Sequence, residues 1–247
     1  PRRRGWLYIM KKIFFSLVRF SLAGVVLSGG LALAAAKRSL AGSMPSGAVV
    51  YIEMDGLGGK VRQFRKSGLY ADILKSPQYK EFESTGEYTK MWAGRTVVET
   101  LIGMDLWTAA ERLLGGQLAL GFYPRKGQAE PEVLAILRAG DTEALKKIHG
   151  RLKPFIWLAD DIDRSELPGG AELFKLENNF LVATKGDWIV GSGNRGLLLR
   201  SVKMLGGQAS KSVAQDLSYK KMLQKMGDKH LAKAYVNIPA FSEQYNQ

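Results

Sequence analysis

The chain contains one long apolar segment, residues 13–36, in which Arg19 is the only charged side chain. A helix needs about 20 consecutive apolar residues to cross the bilayer core, and about 17 at the short end. The uninterrupted apolar run of residues 20–36 meets that lower limit. A helix buried in a globular core keeps a polar face, which this segment lacks. The segment therefore predicts an exported or membrane-anchored protein and divides the chain into a leader and a folded part.

Two interpretations of this segment stay open. It resembles a signal peptide that starts at Met10 and is cleaved after the small residues 34–36. Alternatively it is retained as a signal anchor, with the basic leader of residues 1–12 on the cytoplasmic side. Lys37 and Arg38, which follow the segment directly, favour the anchor slightly because they oppose clean cleavage. Both interpretations place the protein in the cell envelope, either anchored in the inner membrane with its domain exported or periplasmic after cleavage.

The net charge of +13 is concentrated at the N-terminus, because eight of the 36 basic residues precede Glu53, the first acidic residue. The remainder is mildly basic with the two signs interspersed, so no nucleic-acid partner is predicted. The chain has no cysteine and two histidines. Disulfides, thiolate metal sites and cysteine nucleophiles are excluded, and a metal site built on several histidines is disfavoured. We expect no cofactor.

After a predicted linker, residues 37–47, the pattern indicates an α+β domain over residues 48–230. Its strand-like and helix-like segments are clustered without regular βαβ alternation, which favours a largely antiparallel sheet with packed helices. Residues 57–114 have a helical pattern with breaks, including a proline at the first turn of a helix after Ser76 and a possible N-cap at Asp105. Residues 117–140, two apolar runs joined by a polar loop, predict a hairpin, and residues 157–170 predict a loop.

The end of the chain resembles the start of the domain. The stretch SGAVVYIEMD before the first predicted helix and the stretch HLAKAYVNIP near the C-terminus share a strand with a tyrosine, then a polar residue and a turn. Residues 231–247 are therefore interpreted as the start of a possible second, similar unit that is cut short. The predicted fold is an N-terminal hydrophobic helix followed by an α+β domain that could be the first of two such units.

The glycine-rich stretch DGLGGK, residues 55–60, has the composition of a phosphate-binding loop but not its spacing. Such a loop places four residues between its first glycine and a Gly-Lys-Ser/Thr sequence. Here Gly56 is too close to Lys60, and Val61 stands where a hydroxyl is required. The corresponding turn in the C-terminal copy has neither glycine nor lysine. The stretch is therefore predicted to be a tight turn from a strand into a helix.

Several of these stretches are similar to the bacterial domain-of-unknown-function family numbered 3352. The similarity lies in PSGAVVYIEMDGLGG after a membrane segment, SPQYKEF, DLWTAAERLLGGQLALGFYP, VLAILRAGDTEALKK and AYVNIP. It covers most of the chain from Pro45 onward and consists of strand and turn residues. The resemblance implies an uncharacterised bacterial envelope protein, exported or membrane-anchored, and it carries over no functional residues.

The remaining candidates for chemistry are weak. An acidic group in residues 159–170 lacks the spacing of a calcium loop and is expected to be solvated; its members are Asp160, Asp161, Asp163 and Glu166. The two histidines, His149 and His230, have no sequence signal for a catalytic partner. Ser192 does not stand two places after a glycine, as a nucleophile elbow requires. Four scattered tryptophans are expected in the core: Trp92, Trp107, Trp157 and Trp188.

One basic cluster early in the domain is a candidate for contact with a membrane surface or an anion. It consists of Lys60, Arg62, Arg65 and Lys66, with Val61 and Phe64 expected to pack inward. We predict a non-catalytic envelope protein that binds a protein or another envelope partner. The alternative is a module that binds a small molecule or a lipid, and a hydrolase is less favoured. The membrane itself is the other predicted partner, through the N-terminal segment.

Overall fold

The computed structural model describes residues 39–125, 128, 130–158, 162–176, 179–226 and 230–239, without the side chains of residues 157 and 158. The predicted leader and the apolar segment lie outside these residues, as do Asp160, Asp161 and the side chain of Trp157. Among the helices that are described, none has the length and hydropathy needed to cross a bilayer.

The described strands form one antiparallel sheet of eight. They are β1 (Val50–Asp55), β2 (Gln117–Tyr123), β3 (Glu132–Arg138), β4 (Asp163–Leu167), β5 (Ala171–Lys175), β6 (Leu181–Lys185), β7 (Trp188–Ser192) and β8 (Ala232–Val236). Their order across the sheet is β4-β5-β6-β7-β3-β2-β1-β8, and every neighbouring pair is antiparallel. The predicted α+β class and the antiparallel sheet are confirmed.

Eight α-helices are found among the described residues. They are α1 (Leu57–Arg65), α2 (Gly68–Lys75), α3 (Pro77–Glu83), α4 (Gly86–Ile102), α5 (Leu106–Leu113), α6 (Thr142–Leu158), α7 (Arg195–Leu205) and α8 (Leu217–Lys225). Two short 3₁₀ turns, Leu40–Gly42 and Val213–Gln215, complete the described elements. Ser, Thr, Asp or Asn stands at the N-cap of most of them, where its side-chain oxygen accepts a hydrogen bond from a backbone N–H. The helix starts predicted at Ser76 and Asp105 are confirmed.

The main core lies between one face of the sheet and the layer formed by α7, α8 and the two 3₁₀ turns. Alternation along the strands directs one set of side chains to this face, which we call the covered face. Tyr51, Ile136 and Val190 of the sheet are buried there together with Leu198 of α7 and Tyr219 of α8. A smaller cluster joins α4, α5 and α6 around Ile102, Ala109 and Ile148.

The opposite face of the sheet is apolar but less deeply buried. Ile52, Met54 and Phe122 are half-buried there, and Val133 and Val236 are exposed. Helix α6 lies over part of this face, where His149 contacts the ring of Phe174 at a centroid distance of 6.3 Å. We call it the half-open face.

The structure corrects two predicted boundaries. Residues 39–47, assigned to a linker, belong to the folded domain, because Leu40, Ala41 and Met44 are buried in the main core. Within the predicted loop of residues 157–170, the first two residues belong to α6 and Asp163–Leu167 form β4, which pairs with β5. The sequence did not indicate this strand because β4 is rich in charged residues. An edge strand tolerates them, since it need not alternate strictly between apolar and polar side chains.

The turn from β1 into α1 explains the glycine-rich stretch. Gly56 adopts a left-handed conformation with φ of 63°, which favours glycine. A side chain on Gly58 would collide with the carbonyl oxygen of Glu111, so its absence lets α1 approach α5 closely. The amide N–H of Gly56 is already used by the carbonyl of Gly116 at 2.8 Å. The predicted tight turn is therefore confirmed at Gly56, and Gly58 in addition permits close packing of the two helices.

Candidate binding surface

A helical arm, residues 67–95, leaves the domain after α1. It comprises α2, α3 and the first part of α4, and no residue of α2 or α3 is buried in the described structure. In α4 the only buried residues are Gly94, at the middle of the helix, and Ile102, at its C-terminal end. Helices of globular domains normally bury an apolar face. Local interactions therefore stabilise the helices of the arm. Most of the surface of the arm is accessible to other molecules.

Three single residues join the helices of the arm and its base. Ser67, Ser76 and Thr85 each accept a hydrogen bond from the backbone N–H three residues ahead, at 3.2 Å in every case. Each hydroxyl also donates to the carbonyl oxygen three residues behind, at 2.7 Å. One side chain thus ends one helix and begins the next.

These joints recur every nine residues with the pattern Ser/Thr, Gly/Pro, any residue, Tyr. The sequence analysis recognised only the copy at Ser76. The other two copies, at Ser67 and Thr85, follow from the same capping chemistry and could have been found by searching for the spacing. The repeated cap keeps this weakly buried part of the chain helical.

The spacing also aligns aromatic side chains along the arm. The ring of Tyr88 is stacked with that of Trp92 at a centroid distance of 6.1 Å, and it contacts Phe82 and Tyr79 edge-on at 5.5 and 6.2 Å. Partial burial raises the pKa of Tyr79 to about 12, so this phenol stays neutral at physiological pH. Trp92 is 47% exposed, which corrects its expected place in the core.

Large apolar side chains are exposed on all three helices of the arm. They are Leu69 and Ile73 of α2, Phe82 of α3 and Met91 of α4. The guanidinium of Arg95 lies 4.8 Å from the centre of the Trp92 ring, a cation–π contact. The arm thus combines apolar and aromatic side chains with nearby cations.

The four predicted basic residues lie at the base of the arm, and the structure divides them into two pairs. Arg62 forms an ion pair with Glu111, and Arg65 lies 3.3 Å from Asp105. Two of the four charges are therefore offset by carboxylates of the α5 region. Lys66 is exposed, and Lys60 contacts the neutral side chain of Gln63 at 3.4 Å.

The other predicted members of this stretch pack as expected. The ring of Phe64 contacts those of Tyr70 and Trp107 at centroid distances of 5.4 and 6.3 Å. Trp107 and Tyr70 are themselves in edge-on contact at 5.4 Å. This aromatic group fixes the base of the arm to α5.

A buried carboxylate holds the start of the domain against the sheet. Glu53 of β1, 1% exposed, accepts hydrogen bonds from the Ser39 hydroxyl at 2.6 Å, the Leu40 amide at 2.9 Å and the Tyr51 hydroxyl at 3.0 Å. The amide of Gln117 approaches it at 3.4 Å. Burial, followed by the charge of Glu53, raises the pKa of Tyr51. The sequence analysis missed this role because Ser39 and Glu53 are fourteen residues apart.

His149 has a partner that the sequence did not reveal. Its Nε2 atom lies 2.9 Å from Oε2 of Glu172 on β5, and Nζ of Lys153 lies 2.9 Å from the other carboxylate oxygen. The hydrogen bond from Lys153, with the neighbouring His149, lowers the pKa of Glu172 despite partial burial. A cleft of about 230 Å³ borders this group, lined by residues of β4 and β5 that include Arg164 and Phe174. The contacts join α6 to the half-open face.

The remaining candidates have structural roles where they are described. Ser192 is fully buried and donates to the carbonyl of Val133 at 2.8 Å. Asp163 pairs with Lys175 at 3.6 Å across two strands, and Trp188 is buried. His230 lies directly before β8 and Glu166 lies on β4. Within the described ranges no three His, Asp or Glu side chains are grouped so that they could hold a metal ion.

These features define an α+β domain with one antiparallel sheet, a projecting helical arm and a firmly held N-terminal junction. No protein-family model matches the chain, and no curated protein is a significant match. The resemblance to family 3352 therefore stays a prediction.

Solved structures of the treponemal protein TP0453 are similar in overall fold. Crystal form III has 12% sequence identity and a TM-score of 0.42, and the match covers 82% of this chain and 64% of TP0453. Crystal form I has 12% identity and a TM-score of 0.41, with 81% and 63% covered. The chain thus spans less than two thirds of the TP0453 chains that it matches.

Proposed function

We propose that this is a non-catalytic protein of the cell envelope that acts by binding, and that the helical arm is its binding surface. The observation that carries the proposal is the arm itself, in which α2 and α3 bury no residue while large apolar side chains are exposed. A contiguous exposed apolar surface on a helical element usually marks an interaction site. The export signal of residues 13–36 supports the envelope location.

The position of the arm favours the membrane surface as its partner. Glu53 holds Ser39 and Leu40, so the domain begins three residues after the apolar segment ends at Ala36. Three extended residues span about 10 Å. Helix α1 begins at Leu57, four residues after Glu53, and leads directly into the arm. If the apolar segment is retained as an anchor, this junction keeps the base of the arm close to the bilayer.

The chemistry of the arm also fits an anionic membrane surface. Residues 60–95 carry eight basic and four acidic side chains, so the stretch has a net positive charge. Aromatic side chains such as Trp92 favour the region of the lipid head groups, where an apolar ring can be buried while polar groups stay hydrated. Basic residues near an anionic bilayer each contribute about 1 kcal/mol of attraction. Such a helix lies in the interface without crossing it.

Site-directed spin labelling would test this proposal cleanly because the chain has no native cysteine. The full chain is reconstituted into vesicles that contain anionic lipid, with a single label at Met91→Cys on the arm. We expect the label to be accessible to lipid-soluble oxygen and shielded from a water-soluble nickel complex. A label at Leu217→Cys is the matched control, since Leu217 is 73% exposed but lies on α8, away from the arm.

The two outcomes separate two kinds of partner. Shielding at position 91 but not at position 217, weakened when zwitterionic lipid replaces the anionic lipid, would support membrane contact. Equal water accessibility at both positions would contradict it and direct attention to an envelope protein as the partner of the arm.

A second candidate function is the binding of an apolar small molecule or a lipid on the half-open face. The observation in its favour is that Val133 and Val236 are 38% and 52% exposed on this apolar face. A saturable rise in the fluorescence of an apolar dye, abolished by Val133→Lys, would support this candidate. A signal unchanged by the substitution would count against it.

A further inference from the structure

The alignment of the two similar stretches and the strand register of the sheet independently match the same two residues. When the two similar stretches are aligned on their tyrosines, Tyr51 of β1 corresponds to Tyr235 of β8. In the sheet, these two residues are cross-strand partners. A twofold axis through the pair exchanges the strands and maps the Val50–Val236 pair onto the Ile52–Ala234 pair, which also exists. A shift of one residue in either the alignment or the register would have destroyed this agreement.

The covered face shows the same relation around the tyrosines. The ring of Tyr219 contacts Tyr51 at a centroid distance of 5.7 Å and Tyr235 at 5.5 Å, edge-on in both cases. Tyr51 and Tyr235 are both buried, at 0% and 5% exposure. The two tyrosines therefore pack against the same ring on the covered face, although only the Tyr51 hydroxyl donates to Glu53.

The two edges of the sheet are built differently. At the β4 edge, Asp163, Arg164 and Glu166 are exposed charged residues, the usual protection of an edge strand against pairing. At the β8 edge, the exposed residues are Ala232, Ala234 and Val236. The exposed side chains of the β4 edge are thus mostly charged, whereas those of β8 are small or apolar and its one charged residue, Lys233, is half-buried.

The backbone of β8 indicates which groups would take part in further pairing. The hydrogen bonds from Asn237 to Val49 and from Asp55 to Leu231 show that odd-numbered residues of β8 face β1. Even-numbered residues, among them Ala234 and Val236, therefore direct their backbone N–H and C=O groups to the outer side. Their twofold equivalents in β1, Val50 and Ile52, pair with β2.

We propose that β8 is the first strand of a second unit, related to the first by a twofold axis through the Tyr51–Tyr235 pair. A strand equivalent to β2, carried by the same polypeptide beyond Gln247, pairs with Ala234 and Val236 on the outer edge of β8. The sheet then continues through β8 into a second half of similar topology. This inference rests on the repeat and the register and is independent of the proposed function of the arm.

The test compares the natural protein, purified from the organism that encodes it, with the chain of residues 1–247. Intact mass first establishes where the natural chain ends. Amide hydrogen exchange is then measured at Ala234 and Val236, with Lys233 and Tyr235 as controls that face β1. We expect the amides of Ala234 and Val236 to exchange at least about 100-fold more slowly in the natural protein. The controls should be equally protected in both proteins.

A substitution gives a second readout. Ala234→Pro removes an outward N–H group without removing a hydrogen bond to β1. We expect it to lower the urea midpoint of the natural protein and to change that of the 247-residue chain little. A natural chain that ends at Gln247, or equal exchange at Ala234 and Val236 in the two proteins, would overturn the inference. Protection in the 247-residue chain that grows with its concentration would also overturn it, by assigning the edge to a second copy.

Discussion

The Ser39 hydroxyl donates a 2.6 Å hydrogen bond to the carboxylate of Glu53, across fourteen residues of sequence. This contact ties the first described residue of the chain to β1, the strand next to the β8 edge of the sheet. Because Glu53 is almost fully buried and also accepts from Leu40 and Tyr51, residues 39–44 are held as part of the domain. A force applied to the leader would therefore be transmitted to β1 through these hydrogen bonds.

The first prediction concerns this carboxylate. Glu53→Gln replaces an ionised acceptor by an amide that has one acceptor oxygen and an N–H₂ group facing other donors. We expect the free energy of unfolding to fall by about 1–3 kcal/mol, because some of the donors that now bond to the Glu53 carboxylate would be left buried without an acceptor. Urea titration measures the change. Glu111→Gln is the matched control, since its pair with Arg62 is at the surface and should contribute less than about 1 kcal/mol.

The second prediction tests whether residues 39–47 are core or linker. Met44 is fully buried, whereas Met91 on the arm is 37% exposed. Met44→Ala should lower the free energy of unfolding by about 2–5 kcal/mol through lost burial and a residual cavity. Met91→Ala should change it by no more than about 0.5 kcal/mol. Similar values for the two variants would mean that the N-terminal segment contributes nothing to the core.

The third prediction concerns the joints of the arm. Ser76→Ala removes both hydrogen bonds at the junction of α2 and α3, a loss of about 1 kcal/mol for an N-cap. Because the arm is weakly packed, we expect faster amide exchange in α3 with little change in global stability. Ser76→Asp, which retains an N-cap acceptor, should restore slow exchange. Unchanged exchange at Tyr79 in the alanine variant would show that the cap is not what keeps α3 helical.

The fourth prediction concerns pH. The pKa of Glu172 is lowered from its ordinary value of 4.5, first by the hydrogen bond from Lys153. A lowered pKa in the folded state means that the stabilisation is complete above the ordinary value and disappears as the pH falls through the lowered one. The wild type should therefore lose stability between about pH 5 and pH 3 more steeply than Glu172→Gln. Thermal unfolding at a series of pH values would show this, and parallel curves would contradict it.

The fifth prediction separates the two pairs of basic residues at the base of the arm. Lys60 and Lys66 face no carboxylate partner in the described contacts, whereas Arg62 and Arg65 are paired with Glu111 and Asp105. The first double variant replaces Lys60 and Lys66 by glutamine. If the arm contacts an anionic bilayer, each lost charge should weaken that contact roughly fivefold. The spin label at position 91 measures the effect.

A matched double variant completes this comparison. Replacing Arg62 and Arg65 by glutamine removes the same formal charge but leaves two carboxylates unpaired. It should therefore alter α5 as well as the membrane contact, which a thermal melt would detect. An equal loss of shielding in the two double variants, with unchanged melting, would show that the ion pairs do not distinguish the four residues.

Several elements were predictable because their signals are local. Pro77 after Ser76, Asp105 before α5 and the glycines after α7 mark helix boundaries through capping chemistry that depends on a few neighbouring residues. The hairpin of β2 and β3 was predictable for the same reason, from two apolar runs joined by a polar loop. The charged β4 was missed because its place at the sheet edge, rather than its sequence, permits Asp163 and Glu166 in a strand.

The sequence by itself determined the α+β class, the helix starts after Ser76 and at Asp105, and the similarity of the two tyrosine-containing stretches. All of these depend on composition, periodicity or residues close together in the chain. Only the tertiary structure decided that Ser39 and Met44 belong to the core, that His149 meets Glu172, and that Tyr51 pairs with Tyr235. The physical reason is that these contacts join distant segments, whose proximity is set by strand order and helix packing and leaves no local pattern.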